Sequence, residues 1–331
     1  HADPAIGGWK NDRRLSDTQV ATIVRGRDQG VQRGNPTDLA EPPTFTEGWK
    51  IGEPDMVFTM RSDQVLPAEL EDEYRYVYIP MGFSQDRWIE AAEVRPGNLD
   101  VVHHVIVFTT NPSAPGRNGA GLGGSLGGYA PGLQPLVTEA GRALKVEAGS
   151  VMVLQMHYHK EPGKEERDRT SVGVRFARNP IDKQLRFDSI GTERFSIPAG
   201  APDHVVEASF TLRENIHLEQ LIPHMHLRGK DMKVWAKFPN GRSQDLLFVP
   251  KYDFNWQTFY ELDEPIALPK GTKLYARAHF DNSWNNPFNP DPDVDVGWGL
   301  PTTAEMMYTF YIYTVDDEHL DARDPGGSFG S

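Results

Sequence analysis

A chain of 331 residues, 38% of them hydrophobic, has room for two ordinary domains and enough apolar content to build packed cores. With 47 acidic against 34 basic side chains its formal charge is -13, which repels phosphate backbones and anionic lipid and so counts against nucleic acid and membrane surfaces as partners. The chain contains no cysteine, which excludes thiolate zinc sites, iron–sulfur clusters, covalently attached c-type haem and disulfides from this stretch, and leaves histidine, carboxylate and methionine as metal ligands. No apolar run approaches the roughly 18 to 20 residues of a spanning helix, and residues 1–30 lack a signal-peptide layout.

The first element along the chain is a helix over 15–30, LSDTQVATIVRGRDQG, with Ser16 as N-cap, Val20, Ile23 and Val24 on one face, and Gly30 as the stop. An extended linker follows from Gly34 to Gly48, carrying Pro36, Pro42 and Pro43, and a boundary falls near 45. From about 50 onward the pattern changes to short runs rich in Val, Ile, Phe and Tyr, separated by Gly, Pro, Asn and Asp. Strands are expected at 74–80, 101–109, 149–158, 171–177, 205–212, 217–222, 231–237, 272–280 and 306–314. Many short strands without intervening helices point to an all-β chain of β-sandwiches. Gly119 to Gly124 spells GAGLGG, but prolines precede it and no helix follows, so it reads as a surface loop rather than a nucleotide site. A mixed stretch at 178–202 is where one sandwich hands over to the next, near 190. The expected organisation is therefore 1–45, 46–190 and 191–331.

Six of the eleven histidines lie in three short clusters: His103-His104 in LDVVHHVIVF, His157 and His159 in QMHYH, and His224 and His226 in LIPHMHLRGK. Histidine is the commonest metal ligand, and pairs of it on apolar, strand-like segments pack poorly unless something satisfies the ring nitrogens. Side chains at i and i+2 share a face of a strand, so His224 and His226 can converge on one ion, and so can His157 and His159. Adjacent His103 and His104 cannot do so on a regular strand; they need a bulge or a strand end. The plainer alternative for each pair is a core histidine beside an exposed one. Imidazoles alone suit zinc or copper, whereas a thioether favours Cu(I). Glu305-Met306-Met307 places a thioether at the head of a late strand, although taken alone Met306 reads as core.

In their order along the chain, VVHHVIVF, LQMHYH, PHMHLRGK and AEMM resemble the copper type II, ascorbate-dependent monooxygenases, the group holding peptidylglycine α-hydroxylating monooxygenase and dopamine β-monooxygenase, and most closely its bacterial members. Supporting stretches are YVYIPMGFSQDRWIEAAEVRPGN, YDFNWQTFYELDEPIALPKGT and AHFDNSWNNPFNPDPDVDVGWG, so the resemblance spans roughly residues 45–315. It implies two jelly-roll-type β-sandwich domains in tandem, facing each other across a solvent-filled cleft. The implied ligands are His103, His104 and His157 for an all-histidine, electron-transferring copper, and His224, His226 and Met306 for the catalytic copper that meets dioxygen and substrate. Met307 stays a register alternative to Met306; His159 falls outside the implied ligand set, and His204, His217 and His279 match no ligand position.

By the same resemblance the function is hydroxylation of a C–H bond, using dioxygen and two electrons delivered through two copper ions, with ascorbate or a cytochrome c-type haem as external reductant. HADPAIGGWKNDRRLSDTQVATIV resembles the tail of a cytochrome c-like domain found upstream in bacterial relatives, whose haem motif is not in this chain. The family's working compartments imply a periplasmic or secreted location. Substrate is where the inheritance stops: the positions by which the peptide-amidating member grips a carboxylate are Ile222, Tyr308 and Phe310 here, which suit an apolar or aromatic small molecule better. Two other function classes compete: a non-catalytic copper-binding subunit of a larger haem-containing assembly, and a zinc hydrolase with Glu305 as its base.

Overall fold

The alternating, β-rich segments all become strands. In a computed structural model of the chain, which describes residues 1–39, 41–42, 44, 46–112 and 124–326, each of the nine expected strands is present within a few residues of its expected bounds. The glycine-rich loop at 119–124 lies almost wholly outside the described residues. The fold is all-β, with one short α-helix at Asp17–Asp28.

Among the described residues the strands build one long sheet, two four-stranded ones and two two-stranded ones. The long sheet runs in the order Met56–Thr59, Ser171–Phe176, Arg87–Arg95, Arg142–Val146, Lys183–Gly191, Tyr308–Val315, Ile216–His224 and Tyr260–Leu268. One four-stranded sheet, Asp72–Pro80, Val151–His159, Val102–Thr110 and Ser125–Tyr129, packs against its first part around a core that includes Ile89, Val107, Leu154, Met156 and Val172. The other, His204–Thr211, Lys273–Phe280, Gly229–Lys237 and Ser243–Val249, covers the second part around Leu218, Leu221, Met232, Val234 and Tyr311. Both are two-layer sandwiches in which apolar faces are buried between sheets.

Lys183–Gly191 joins the two parts, pairing parallel with Arg142–Val146 on one side and antiparallel with Tyr308–Val315 on the other. It lies inside the stretch read from sequence as a mixed connector, because Asp182, Lys183, Arg186 and Asp188 break up the apolar alternation. Those charges are accommodated locally: Lys183 Nζ donates to the backbone carbonyls of Val315 and Asp316, and Arg186 pairs with Glu318. Arg87–Arg95, also unexpected, is buried along nearly its whole length. Its sequence, RWIEAAEVR, disguises that, since Arg87 is only 3% exposed and is neutralised by Asp324 at 2.7 Å.

The helix forms from local sequence. Ser16 and Gln19 make a reciprocal capping box, and Gly30 adopts φ +80 beyond the last turn. None of its residues is buried, so Val20, Ile23 and Val24 face solvent. Upstream of it, Trp9 is buried in the second core and bridges to Leu262.

One buried carboxylate organises the approach to the first histidine pair. Asp168, 2% exposed, accepts the backbone N–H groups of Gly97 and Asn98 and the hydroxyls of Tyr158 and Thr170 at 2.8 to 3.0 Å. Asn98 in turn accepts the N–H of Val102 through its carbonyl, which starts the strand carrying His103. Gly97 is required there, because a Cβ would sit 2.6 Å from the Arg169 nitrogen. Asp168→Ala should strand two buried hydroxyls and two partly buried backbone N–H groups and destabilise the metal-free protein by about 3 kcal/mol, read as a lower denaturation midpoint in urea.

Candidate metal centre

The irregularity that His103 and His104 need is present. The strands Val102–Thr110 and Val151–His159 pair Val102 with Tyr158 and next His104 with His157, so His103 is the extra residue of a bulge. The bulge lets both rings turn to the same side. His103 Nδ1 lies 3.2 Å from His104 Nδ1, which lies 3.3 Å from His157 Nδ1. One nitrogen from each of the three falls within 4.8 Å of the others, a spacing that can hold a single metal ion.

Neighbouring strands fix the third ring. Asp72, on the strand Asp72–Pro80, lies 2.5 Å from His157 Nε2, so Nε2–H donates to the carboxylate and Nδ1 is turned toward the cluster. The His157 hydrogen bond holds the Asp72 carboxyl below its usual range. Tyr74, directly across from His157, stacks on its ring at 4.3 Å and 7°. Burial lowers the pKa of His103 and takes that of His104 well down, with further lowering by neighbouring imidazoles, so both rings are neutral at pH 7. His159, whose side chain is 63% exposed, stands outside the three-ring group.

The second cluster sits at a strand end. Met225 points into the second core, fully buried, which turns His224 and His226 to the opposite face with ring centroids 5.3 Å apart. Each ring is anchored by Nδ1: that of His224 donates to Gln257 Oε1 at 2.9 Å and that of His226 to the Ala304 carbonyl at 3.1 Å. Nε2 is therefore the free lone pair in both, the reverse of the first cluster. Burial brings His224 down to about 4 and His226 to about 3, so both are neutral.

Across the ladder His224 pairs with Tyr308 and Ile222 with Phe310. Two residues before Tyr308, just outside the strand, Met306 is partly buried, whereas Met307 packs in the second core with no exposure. Between them the backbone is held by Glu305, a fully buried side chain that accepts the N–H groups of His226, Arg228 and Met306. Burial pushes its carboxyl up to about 7.

Aromatic rings extend this face. Phe310 stacks on Phe187 at 5.2 Å and on Tyr308 at 5.5 Å, and lies 6.1 Å from the His224 ring. Gly191 makes room for Tyr308, since a Cβ there would meet the ring at 2.2 Å. Phe254 presents an edge to His226. The two clusters also sense each other: His224 and His226 contribute to lowering His104, and His157 to lowering His226. The segment Tyr252–Gln257 touches both, with Asn255 hydrogen-bonded to His103 and Gln257 to His224.

Asp72, Tyr74, Phe187, Phe254 and Gln257 escaped the sequence reading. Asp72 is 85 residues from His157 in sequence, and only the pairing of their strands brings them together. The remaining histidines outside the clusters include His217, bonded to Asp316, and His279, bonded to Asp231, at 2.6 and 2.7 Å.

The chain is similar to DBH-like monooxygenase protein 1 of Gallus gallus, 28% identical over 131 residues covering 36% of this chain and 20% of that protein. The Homo sapiens and Mus musculus proteins of that name match over the same shares at 26% and 28% identity. The chain thus spans about a fifth of the length of the curated relatives it matches. No family model matches it. Solved structures of infectious bursal disease virus, including its Gx strain at 10% identity, cover 82% of this chain, but a TM-score of 0.24 is too low to bear on the fold. The similarity to a monooxygenase is distant and partial, and the three-histidine cluster can hold a metal.

Removing the outer partner of His157 should loosen that cluster. Asp72→Ala is expected to weaken metal binding at His103, His104 and His157 by about 10- to 100-fold in a competition titration, with Asp72→Asn, which still accepts the hydrogen bond, closer to wild type.

Proposed function

We propose that the chain is a copper-dependent monooxygenase that hydroxylates a C–H bond of a small apolar or aromatic substrate, with one copper at His103, His104 and His157 and a second, catalytic copper at His224, His226 and Met306. The observation that carries the reading is the pair of histidine clusters within electrostatic reach of each other, one presenting Nδ1 and the other Nε2. Neutral imidazoles suit copper, and a thioether beside the second pair favours its reduced form. The distant similarity to DBH-like monooxygenase protein 1 and the motif order support the same reaction class.

Copper bound at both clusters would supply, one from each ion, the two electrons that reduce dioxygen so that one oxygen atom enters the substrate and the other leaves as water. The protein's own part is orientation and exclusion of water. Gln257 and the Ala304 carbonyl keep Nε2 of His224 and His226 turned inward, while Asp72 fixes the tautomer of His157. Ile222, Phe187, Tyr308 and Phe310 form an apolar wall beside His224, against which an aromatic or aliphatic group can lie. That wall carries no cation to grip a carboxylate.

We further propose that the two cores belong to two tandem jelly-roll domains divided near 190, that ascorbate or a cytochrome c-type haem protein donates the electrons, and that the protein works in a periplasmic or secreted compartment. Among the described residues no helix is long and apolar enough to cross a membrane. A zinc hydrolase fits less well, because the oxygens of Glu305 are buried and committed to three backbone N–H groups.

Copper-loaded protein given ascorbate and dioxygen should consume oxygen and hydroxylate a small aromatic probe such as phenethylamine or ethylbenzene; binding of two coppers without oxygen consumption would instead mark a non-catalytic copper-binding subunit. Two methionine variants test the register. Met306→Ala should abolish turnover and weaken Cu(I) at the second site while leaving the first filled. Met307→Ala should keep both coppers and cost about 2 to 5 kcal/mol in thermal stability by opening a core cavity.

A further inference from the structure

We infer that Glu305 is a positioning residue for the second copper site, the side chain that sets the distance between His226 and Met306. This rests on the reading of His224, His226 and Met306 as one site. Ladder pairing between Ile216–His224 and Tyr308–Val315 ends at His224 and Tyr308. Beyond that point both chains leave the sheet, and two of the three proposed ligands, His226 and Met306, lie in the part that has left it.

The Glu305 carboxylate takes the place of the missing ladder bonds. Its Oε2 accepts the N–H of His226 at 2.8 Å and that of Met306 at 3.2 Å, and its Oε1 accepts the N–H of Arg228 at 2.7 Å. One rigid group thus ties the backbone of one ligand to that of another. Glu305 is itself anchored by its backbone, donating to the Gly297 carbonyl and accepting from Gly299, while the Arg228 guanidinium bonds the Thr303 carbonyl and Asn282. The segment 303–306 is therefore pinned from both sides of the histidine turn.

Three donors converging on two oxygens explain why a carboxylate stands here. Glutamine has the same shape but would turn an N–H₂ group against a backbone N–H, and aspartate is one methylene shorter. A purely structural role would show as lost stability alone, whereas a positioning role must show at the metal.

The test uses full-length wild type, E305Q, E305D and M306A, loaded with Cu(I) and examined by X-ray absorption together with competition against a Cu(I) chelator. Wild type should bind two coppers and show a copper–sulfur shell. E305Q should lose most of that shell, as M306A does, and weaken the second site about 10- to 100-fold, with the all-nitrogen first site at wild-type affinity. E305D is read in the same way if E305Q does not fold. A folded variant that keeps the sulfur shell and wild-type affinity at the second site overturns the inference. Wild type with no sulfur shell sinks the reading of the site itself, and the inference with it.

Discussion

A neutral imidazole has one nitrogen that donates and one that accepts, and a buried one must satisfy both. Five such rings, His103, His104, His157, His224 and His226, meet at the contact between the two sandwiches. The outer nitrogens of three of them are held by partners fixed on other strands or loops: Asp72, Gln257 and the Ala304 carbonyl. The Nδ1 atoms of His103, His104 and His157 converge at 3.2 and 3.3 Å, a grouping that a cation could bridge. The rest of the architecture makes sense as the means of holding those rings in place.

The long sheet is the main mechanical element. With no cysteine in the chain, nothing covalent clamps the halves, and the continuity through Lys183–Gly191 does that work by hydrogen bonds. Its neighbour Tyr308–Val315 has Ile312 in the first core and Tyr311 in the second, so one strand is shared between both hydrophobic interiors. A strand buried on both faces is costly to shift by one residue, because every side chain would change sides. That property gives the His224 and Tyr308 faces a defined orientation toward the first cluster. The two clusters nonetheless use different local devices. A bulge brings His103 and His104 together, and the end of a strand brings His224 and His226 together around a core-facing Met225.

Much of this was written in local sequence. The nine strands with clear apolar alternation were legible, and so was the capped helix, because Ser16, Gln19 and Gly30 act within a few residues of one another. Strands such as Arg87–Arg95 and Lys183–Gly191 were not, since the buried Arg87 and the partly buried Arg186 are paired with Asp324 and Glu318, remote in sequence. The helix also shows the limit of periodicity: its apolar Val20, Ile23 and Val24 mark a helix, yet all three are exposed.

By itself the sequence determined the all-β class, the three histidine clusters and the need for a bulge at the adjacent pair, because these follow from residue type and a two-residue period. It left open whether His157 and His159 act together and whether Met306 or Met307 faces the site. Tertiary structure decided that His157 joins His103 and His104 while His159 stays at the surface, and that Met307 belongs to the core. It also chose which nitrogen each anchored ring presents. The reason is physical: face, register and tautomer depend on partners such as Asp72 and Gln257, which strand pairing and loop packing bring near and sequence distance conceals.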